Sequence, residues 1–258
     1  MRVLELFSGT KSVGKCCDEL GWESISVDMI LPADHQVDIM EFDYKQYPKD
    51  YFDIVWGSPP CTNYSHLKKC WYGRPLKNGI IYTKEQNEKD QDEADKLVLK
   101  TLEIIKYFDP ELWFMENPQT GNLKNREIMK DIPFYDVDYC MFSNWGYKKR
   151  TRIWTNKKDF NNKLCDGSGS CGNMVENTKQ HKEVLANGYE IIDGKKVVCN
   201  TKEKREKRRT KLHKTNCGNT KRINIAKHLL DVSDVGGGTN RLQRYRVPED
   251  LIFSLFLE

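Results

Sequence analysis

The sequence predicts an α/β protein built on a doubly wound, mostly parallel sheet. Three observations carry this. Short apolar runs of strand type alternate with segments of helical period through residues 1–160. The runs are rich in Val, Ile, Leu and Phe, as strands buried on both faces are. Several of them end in a Gly, Pro, Cys or carboxylate residue, at the strand ends where such sheets bind ligands.

Val3-Leu-Glu-Leu-Phe7 is the first strand. Residues 9–21 form a loop and then a helix, with Val13, Cys16, Cys17 and Leu20 at helical spacing. Ser24-Ile-Ser-Val27 is the second strand and ends at Asp28. Phe52-Asp-Ile-Val-Trp56 is the next and runs into Gly57-Ser-Pro-Pro60. Residues 85–107 form a long amphipathic helix carrying Leu97, Val98, Leu102, Ile104 and Ile105. Leu112-Trp-Phe-Met115 is a strand of buried type. Residues 135–140 and 151–155 read as a closing pair. The expected carboxyl-end residues are therefore Phe7-Ser-Gly-Thr10, Asp28, Asp38-Ile39, Pro60-Cys61 and Glu116-Asn117-Pro118.

Composition excludes several other classes. The chain has 258 residues, 38% hydrophobic and 11% aromatic, which is too apolar for a disordered chain. No apolar run reaches the roughly 18–20 residues of a membrane helix, and no membrane partner is expected. The N-terminus enters a strand pattern without a signal-peptide layout, so an intracellular protein and reduced cysteines are expected. The net charge of +4 hides an asymmetry. Residues 155–228 hold 18 Lys and Arg against 8 Asp and Glu, while the rest of the chain is mildly acidic. The division expected is a catalytic domain over 1–154, a basic region over 155–228 and a returning segment over 229–258. A charge run can be a solvated face, or it can contact phosphates.

Gly57-Ser-Pro-Pro-Cys-Thr-Asn-Tyr-Ser65 is the most informative stretch. Two prolines stiffen the chain directly after a strand, which fixes the direction of Cys61 at the sheet's rim. A rigid loop suits a nucleophile better than a packing cysteine. Glu116 leaves an apolar strand, and a thiol and a carboxyl in one cleft make a nucleophile-and-acid pair. Arg150 and Arg152 share one face of an extended segment by the period of two.

Together these motifs resemble the cytosine-C5 DNA methyltransferase family. Leu4-Glu-Leu-Phe-Ser-Gly-Thr10 is similar to its cofactor loop, Asp-Leu-Phe-x-Gly. Pro60-Cys61 resembles its Pro-Cys, Glu116-Asn117-Pro118 its Glu-Asn-Val, and Arg150-Thr-Arg152 the end of its Gln-x-Arg-x-Arg. Arg244-Tyr-Arg-Val-Pro-Glu-Asp-Leu-Ile252 resembles the terminal Gly-Asn-Ala-Val-Pro-Pro-x-Leu-Ala. The order is the family's, over nearly the whole chain. Lys11 stands for a cofactor-loop glycine, Lys148 for the Gln, and Arg244-Tyr245 for the Gly-Asn. The chain resembles the compact members found in phages and large viruses.

The resemblance implies a class I, Rossmann-like methyltransferase fold with a small target-recognition region. It also implies S-adenosylmethionine as cofactor and duplex DNA as partner, with the protein acting as a monomer. Cys61 would attack C6 of a flipped cytosine, with Glu116 serving N3, Asn117 fixing the loop, Arg152 at O2 and Arg150 in support. Phe7, Ser8, Gly9, Thr10, Asp28, Asp38, Ile39, Pro60 and Val247 would line the cofactor site. Ser65 would contact a phosphate from a mobile loop at residues 62–84. Lys202, Lys204, Arg205, Lys207, Arg208, Arg209 and Lys211 would bind DNA. Three alternatives stay open: C5 methylation of RNA, methylation of an exocyclic amine (whose enzymes carry Ser-Pro-Pro-Tyr), and a catalytically dead DNA-binding subunit.

Cys165-x5-Cys171, with His181, Cys199, His213 and Cys217 behind it, would allow a zinc knuckle. The spacing lacks Cys-x2-Cys, so unligated thiols are the expectation and no metal ligand is assigned. Cys16, Cys17, Cys70 and Cys140 read as ordinary packing or surface residues.

Overall fold

The computed structural model describes residues 1–76, 78–177, 179–182, 189–192, 195–198 and 245–257. The chain divides into two units, Met1–Val137 with Arg150–Asn162 and Leu255–Glu258, and Asp138–Lys149 with Lys163–Ser254. These two units are interleaved along the chain. The chain leaves the first unit after Val137, returns to it at Arg150 and leaves it again after Asn162.

The first unit is built on a six-stranded sheet. Its strands are β1 (Arg2–Leu6), β2 (Glu23–Val27), β3 (Ile54–Gly57), β4 (Leu112–Pro118), β5 (Phe134–Asp138) and β6 (Arg150–Thr155). The order is β2-β1-β3-β4-β6-β5. The pairs β1–β2, β1–β3 and β3–β4 are parallel, and β4–β6 is antiparallel. The order reverses at β1, so the crevice between the ends of β1 and β3 is the topological switch point where such sheets bind ligands.

Alternation along the strands assigns the two faces. Leu4, Leu6, Val27 and Val55 pack with Ile104, Ile105 and Phe108 of α2 (Lys84–Phe108) in one buried cluster. Met115 and Trp154 pack with Ala94 and Val98 of the same helix and with Tyr64 in another. On the opposite face Trp56 and Phe114 lie 5.5 Å apart. Phe256 packs on Phe114 at 5.7 Å and on Trp22 at 5.8 Å. Burying side chains of this size contributes roughly 1.5–3 kcal/mol each, which is why alternation in the sequence suffices to define two covered faces.

Local chemistry sets the helix ends. The hydroxyl of Thr83 accepts the Gln86 N–H at 3.2 Å and caps α2, which ends at Asp109 ahead of Pro110. The helix α1 (Ser12–Leu20) stops at Gly21, whose φ of 68° only glycine adopts without strain. Gly57 serves a close approach instead. A Cβ there would lie 2.7 Å from Cγ2 of buried Thr101 on α2, so any side chain would push the helix off the end of β3.

The start of α1 has no side-chain cap of its own. Glu5, buried in β1, supplies the acceptors instead, at 3.2 Å from the Val13 N–H and 3.0 Å from the Gly14 N–H. Burial pushes its carboxyl from 4.5 to about 7 despite these bonds. The folded state therefore holds this proton more tightly than the unfolded chain does. Stability should fall as pH rises from about 4.5 to about 7, by on the order of 3 kcal/mol. In Glu5→Gln, unfolding free energies measured across that window should lose this slope. Losing one acceptor adds a constant offset and leaves the slope diagnostic.

In the second unit, β7 (Tyr189–Ile192) and β8 (Lys195–Val198) form an antiparallel pair. The helix α3 (Glu249–Leu257) begins in this unit, and its last residues belong to the first. Residues 202–211, with Lys202, Lys204, Arg205, Lys207, Arg208, Arg209 and Lys211, lie outside the described residues. No described helix is long and apolar enough to cross a membrane.

Candidate active site

The loops after β1 and β3 are tied together at the switch point. The Ser58 N–H donates to the Leu6 carbonyl at 3.2 Å, which extends the β1–β3 contact beyond the paired strands. After β1 the chain turns sharply, with Phe7, Gly9 and Lys11 all in the left-handed region, at φ 57°, 53° and 54°. For Phe and Lys this conformation is costly, and it marks a loop whose shape is set by its surroundings. Lys11 thus keeps a backbone form natural to glycine at the position where the sequence pattern has glycine. The Ser8 N–H donates to the Val27 carbonyl at 3.1 Å, and its buried Oγ has no hydrogen-bond partner among the described residues.

Asp28 completes this loop. One carboxylate oxygen accepts the Gly9 N–H at 2.9 Å, and the other accepts the Ile30 and Leu31 N–H groups at 2.8 Å each. Phe7, Ser8, Gly9 and Asp28 are therefore brought together, as the strand order requires. Thr10 is engaged with Ser12, their hydroxyls 3.2 Å apart. Asp38 and Ile39 follow no strand. They lie in the long connection between β2 and β3, where Asp38 accepts the Met40 N–H and the Ile39 side chain joins the core. Val247 is buried and belongs to the second unit.

After β3, Pro59 is buried, Pro60 is exposed and Cys61 is half-buried at the head of a short 3-10 turn, Thr62–Tyr64. Asn117, wholly buried in β4, donates from Nδ2 to the Pro59 carbonyl at 2.8 Å. This bond ties the Pro-Pro-Cys segment to the neighbouring strand. The β3–β4 register pairs Gly57 with Met115, so Glu116 of β4 and the segment leading to Cys61 lie at the same end of these two parallel strands. Glu116 is 7% exposed.

Register also separates these side chains. β4 and β6 pair Asn117 with Arg152 and Glu116 with Ile153. Paired residues share a face, so the sheet's pleat puts Asn117 and Arg152 on the α2 face and Glu116 on the other. Arg152 grips Asp136 of β5 with two bonds, 2.8 Å from Nε and 3.0 Å from Nη2, and its guanidinium lies 3.5 Å from the centre of the Phe134 ring. Asp136 and Phe134 were not singled out from the sequence. Only the β6–β5 neighbourhood reveals that they orient Arg152.

The segment after Cys61 is tied down at several points. The Tyr64 hydroxyl donates to Asp95 at 2.8 Å, and Arg126 binds the other Asp95 oxygen. Lys68 bridges Asn63 and Asp90 at 2.8 and 2.7 Å. Ser65, expected at a phosphate, accepts the Leu67 N–H at 3.3 Å and caps the turn His66–Trp71. This segment is more ordered than a bare polar loop. It still exposes Leu67 and Trp71, an apolar surface available for contact.

Burial pushes the Cys17 thiol up to about 12, with Glu5 adding to the effect. That thiol is inert at neutral pH, in keeping with a packing role.

The sequence matches the C-5 cytosine-specific DNA methylase family over residues 28–228. It is 42% identical over 179 residues to a probable DNA (cytosine-5)-methyltransferase of Frog virus 3 (isolate Goorha), covering 69% of this chain and 80% of that protein. Among solved structures it resembles an Entamoeba histolytica methyltransferase at 16% identity and TM-score 0.43, over 64% of this chain. It also resembles the S. pombe Dnmt2 methyltransferase at 13% identity and TM-score 0.36, over 69% of this chain. The chain spans 55% and 57% of those two solved chains. With 42% identity to the viral relative and a family match over most of its length, this chain belongs to the C-5 cytosine-specific DNA methylase family.

Proposed function

We propose that the protein methylates C5 of cytosine in duplex DNA, with Cys61 as nucleophile and S-adenosylmethionine as methyl donor. The observation that carries this reading is the Asn117–Pro59 bond, which holds the rigid Pro-Pro-Cys segment against the strand bearing Glu116.

In this reading the target base leaves the duplex, at a cost of roughly a few kcal/mol. The Cys61 thiolate forms a bond to C6. The electron pair of the C5–C6 bond moves onto the ring, and N3 takes a proton from Glu116. Arg152, on the opposite face of the β4–β6 pair from Glu116, would reach O2 over the strand ends with the Nη1 arm, which its pair with Asp136 leaves out. Once C5 carries the methyl group, its proton passes to water, the C5–H electron pair re-forms the C5–C6 double bond and expels the Cys61 thiolate, and N3 returns its proton to Glu116.

The switch-point loop fits the cofactor. The buried Ser8 Oγ, without a partner among the described residues, offers a hydrogen bond, Gly9 leaves room for close approach, and the Asp28 carboxylate holds the Gly9 N–H. When bound, S-adenosylmethionine supplies an electrophilic methyl group on sulfonium. A DNA substrate places the enzyme inside a cell. The basic residues 202–211 would add phosphate contacts.

The test is covalent trapping. With S-adenosylmethionine and duplex DNA containing 5-fluorocytosine, a stable protein–DNA adduct should form, because fluorine cannot leave C5 as a proton does. A product methylated at N4, or an adduct formed only on RNA, would overturn this assignment.

A further inference from the structure

We infer that the second unit holds a structural zinc ion, bound by Cys140, Cys165, Cys171 and His181. Their ligand atoms all lie within 4.8 Å of one another. The Cys165 and Cys171 sulfurs are 3.8 Å apart, and the His181 Nε2 is 3.7 Å from each of them. A tetrahedral zinc with Zn–S of about 2.3 Å and Zn–N of about 2.0–2.1 Å requires S···S near 3.8 Å and S···N near 3.6 Å. Cys165, Cys171 and His181 have these spacings already, and the Cys140 sulfur lies within 4.8 Å of all three ligand atoms. A disulfide is a different geometry, with sulfurs about 2.05 Å apart.

The surroundings are built for ligation. Asn173, 4% exposed, donates to the carbonyls of Cys140, Ser143 and Cys171 at 2.8, 2.7 and 2.9 Å, and accepts the Gly146 N–H at 2.9 Å. It thereby clamps together the two segments that carry Cys140 and Cys171. The buried Asp138 carboxylate accepts the Cys165 N–H at 2.8 Å. A bridge between Met174 and His181 closes the hairpin that returns His181 to Cys171. Orienting partners of this kind are what a metal site needs beyond its ligands.

Binding releases the three thiol protons and leaves the zinc centre with one net negative charge. Lys148 lies beside it, 2.9 Å from the Cys165 carbonyl and 3.3 Å from Asp138. Four protein ligands leave no open position, so the ion is structural and takes no part in methyl transfer. The Cys165-x5-Cys171 spacing hid the site because its fourth ligand, Cys140, comes from upstream of β6. Cys199, His213 and Cys217 lie outside the described residues and are not needed to complete it.

The test uses the full chain purified under reducing conditions. Elemental analysis should find one zinc per chain. The apoprotein loaded with cobalt(II) should show tetrahedral ligand-field bands and thiolate charge transfer. Removal of the zinc by a chelator should lower the melting temperature, and zinc should restore it. Cys171→Ser should lose the metal, while Cys70→Ser, outside the cluster, should keep it. An emptied site can unfold the unit, so Cys171→His is the informative second variant. It should still bind cobalt, with charge-transfer intensity reduced by about a third, one thiolate of three. Sub-stoichiometric zinc together with no cobalt uptake by the reduced wild-type chain would overturn the inference. So would a Cys165–Cys171 disulfide in the intact mass. Metal content is measured independently of methyl transfer, so failure of either proposal leaves the other standing.

Discussion

Replacing Cys61 with serine should abolish formation of the 5-fluorocytosine adduct and lower methyl transfer by roughly 10³-fold or more, about 4 kcal/mol of transition-state stabilisation. Serine has nearly the same shape, so the loop held by Asn117 should persist and the fold should be unchanged. Cofactor affinity, measured by calorimetry, should also be unchanged, because the substitution keeps Pro60 and the loop after β1 as they are. Glu116→Gln tests the partner role. It keeps the size of the side chain but removes the proton proposed for N3, so turnover should fall while DNA and cofactor binding remain. If Cys61→Ser retains turnover, the nucleophile assignment fails. Loss of turnover in Cys61→Ser with full turnover in Glu116→Gln would leave Cys61 in place and remove Glu116 from the mechanism.

Asn117→Ala should damage both the fold and the chemistry. The Asn117 amide is wholly buried and donates to the Pro59 carbonyl. Truncation leaves that carbonyl without this donor, at a cost of roughly 1–3 kcal/mol, which should appear as a lower melting temperature. It also frees the segment whose direction the two prolines and this bond set together. A misplacement of about 1 Å at a reacting group can cost about 10²-fold in rate. We expect kcat to fall by that order with little change in KM for cofactor. Asn117→Asp should be at least as harmful, because it turns a carboxylate oxygen toward the Pro59 carbonyl. Full activity with lowered stability would assign Asn117 to the fold alone.

The legible part of this molecule was local. Strand and helix identities followed from period and capping residues, and most boundaries moved by only one or two positions. β4 is longer than its apolar core, running through Glu116 and Asn117 to Pro118, because antiparallel pairing with β6 satisfies the polar end of the strand. The Pro-Pro-Cys and Glu-Asn-Pro segments were readable because proline and a carboxylate at a strand's end are costly unless a structure uses them. Asp38 and Ile39 were misplaced because the long connection after β2 reads like a strand end in a single sequence.

Partnerships between distant segments were not readable. Asn117 with Pro59, Arg152 with Asp136 and Phe134, and Glu5 with the start of α1 depend on strand order and register, which no spacing encodes. The cysteine cluster is the clearest case. Cys140 looked like packing because its partners follow only after the chain has formed β6 and left the sheet again. By itself the sequence determined the fold class, the motif order and the residue types at the rim of the sheet. Tertiary structure decided which of them meet. Hydrophobic period is a property of neighbours along the chain, whereas hydrogen bonds and ligand sets join groups that only folding brings within about 3–4 Å.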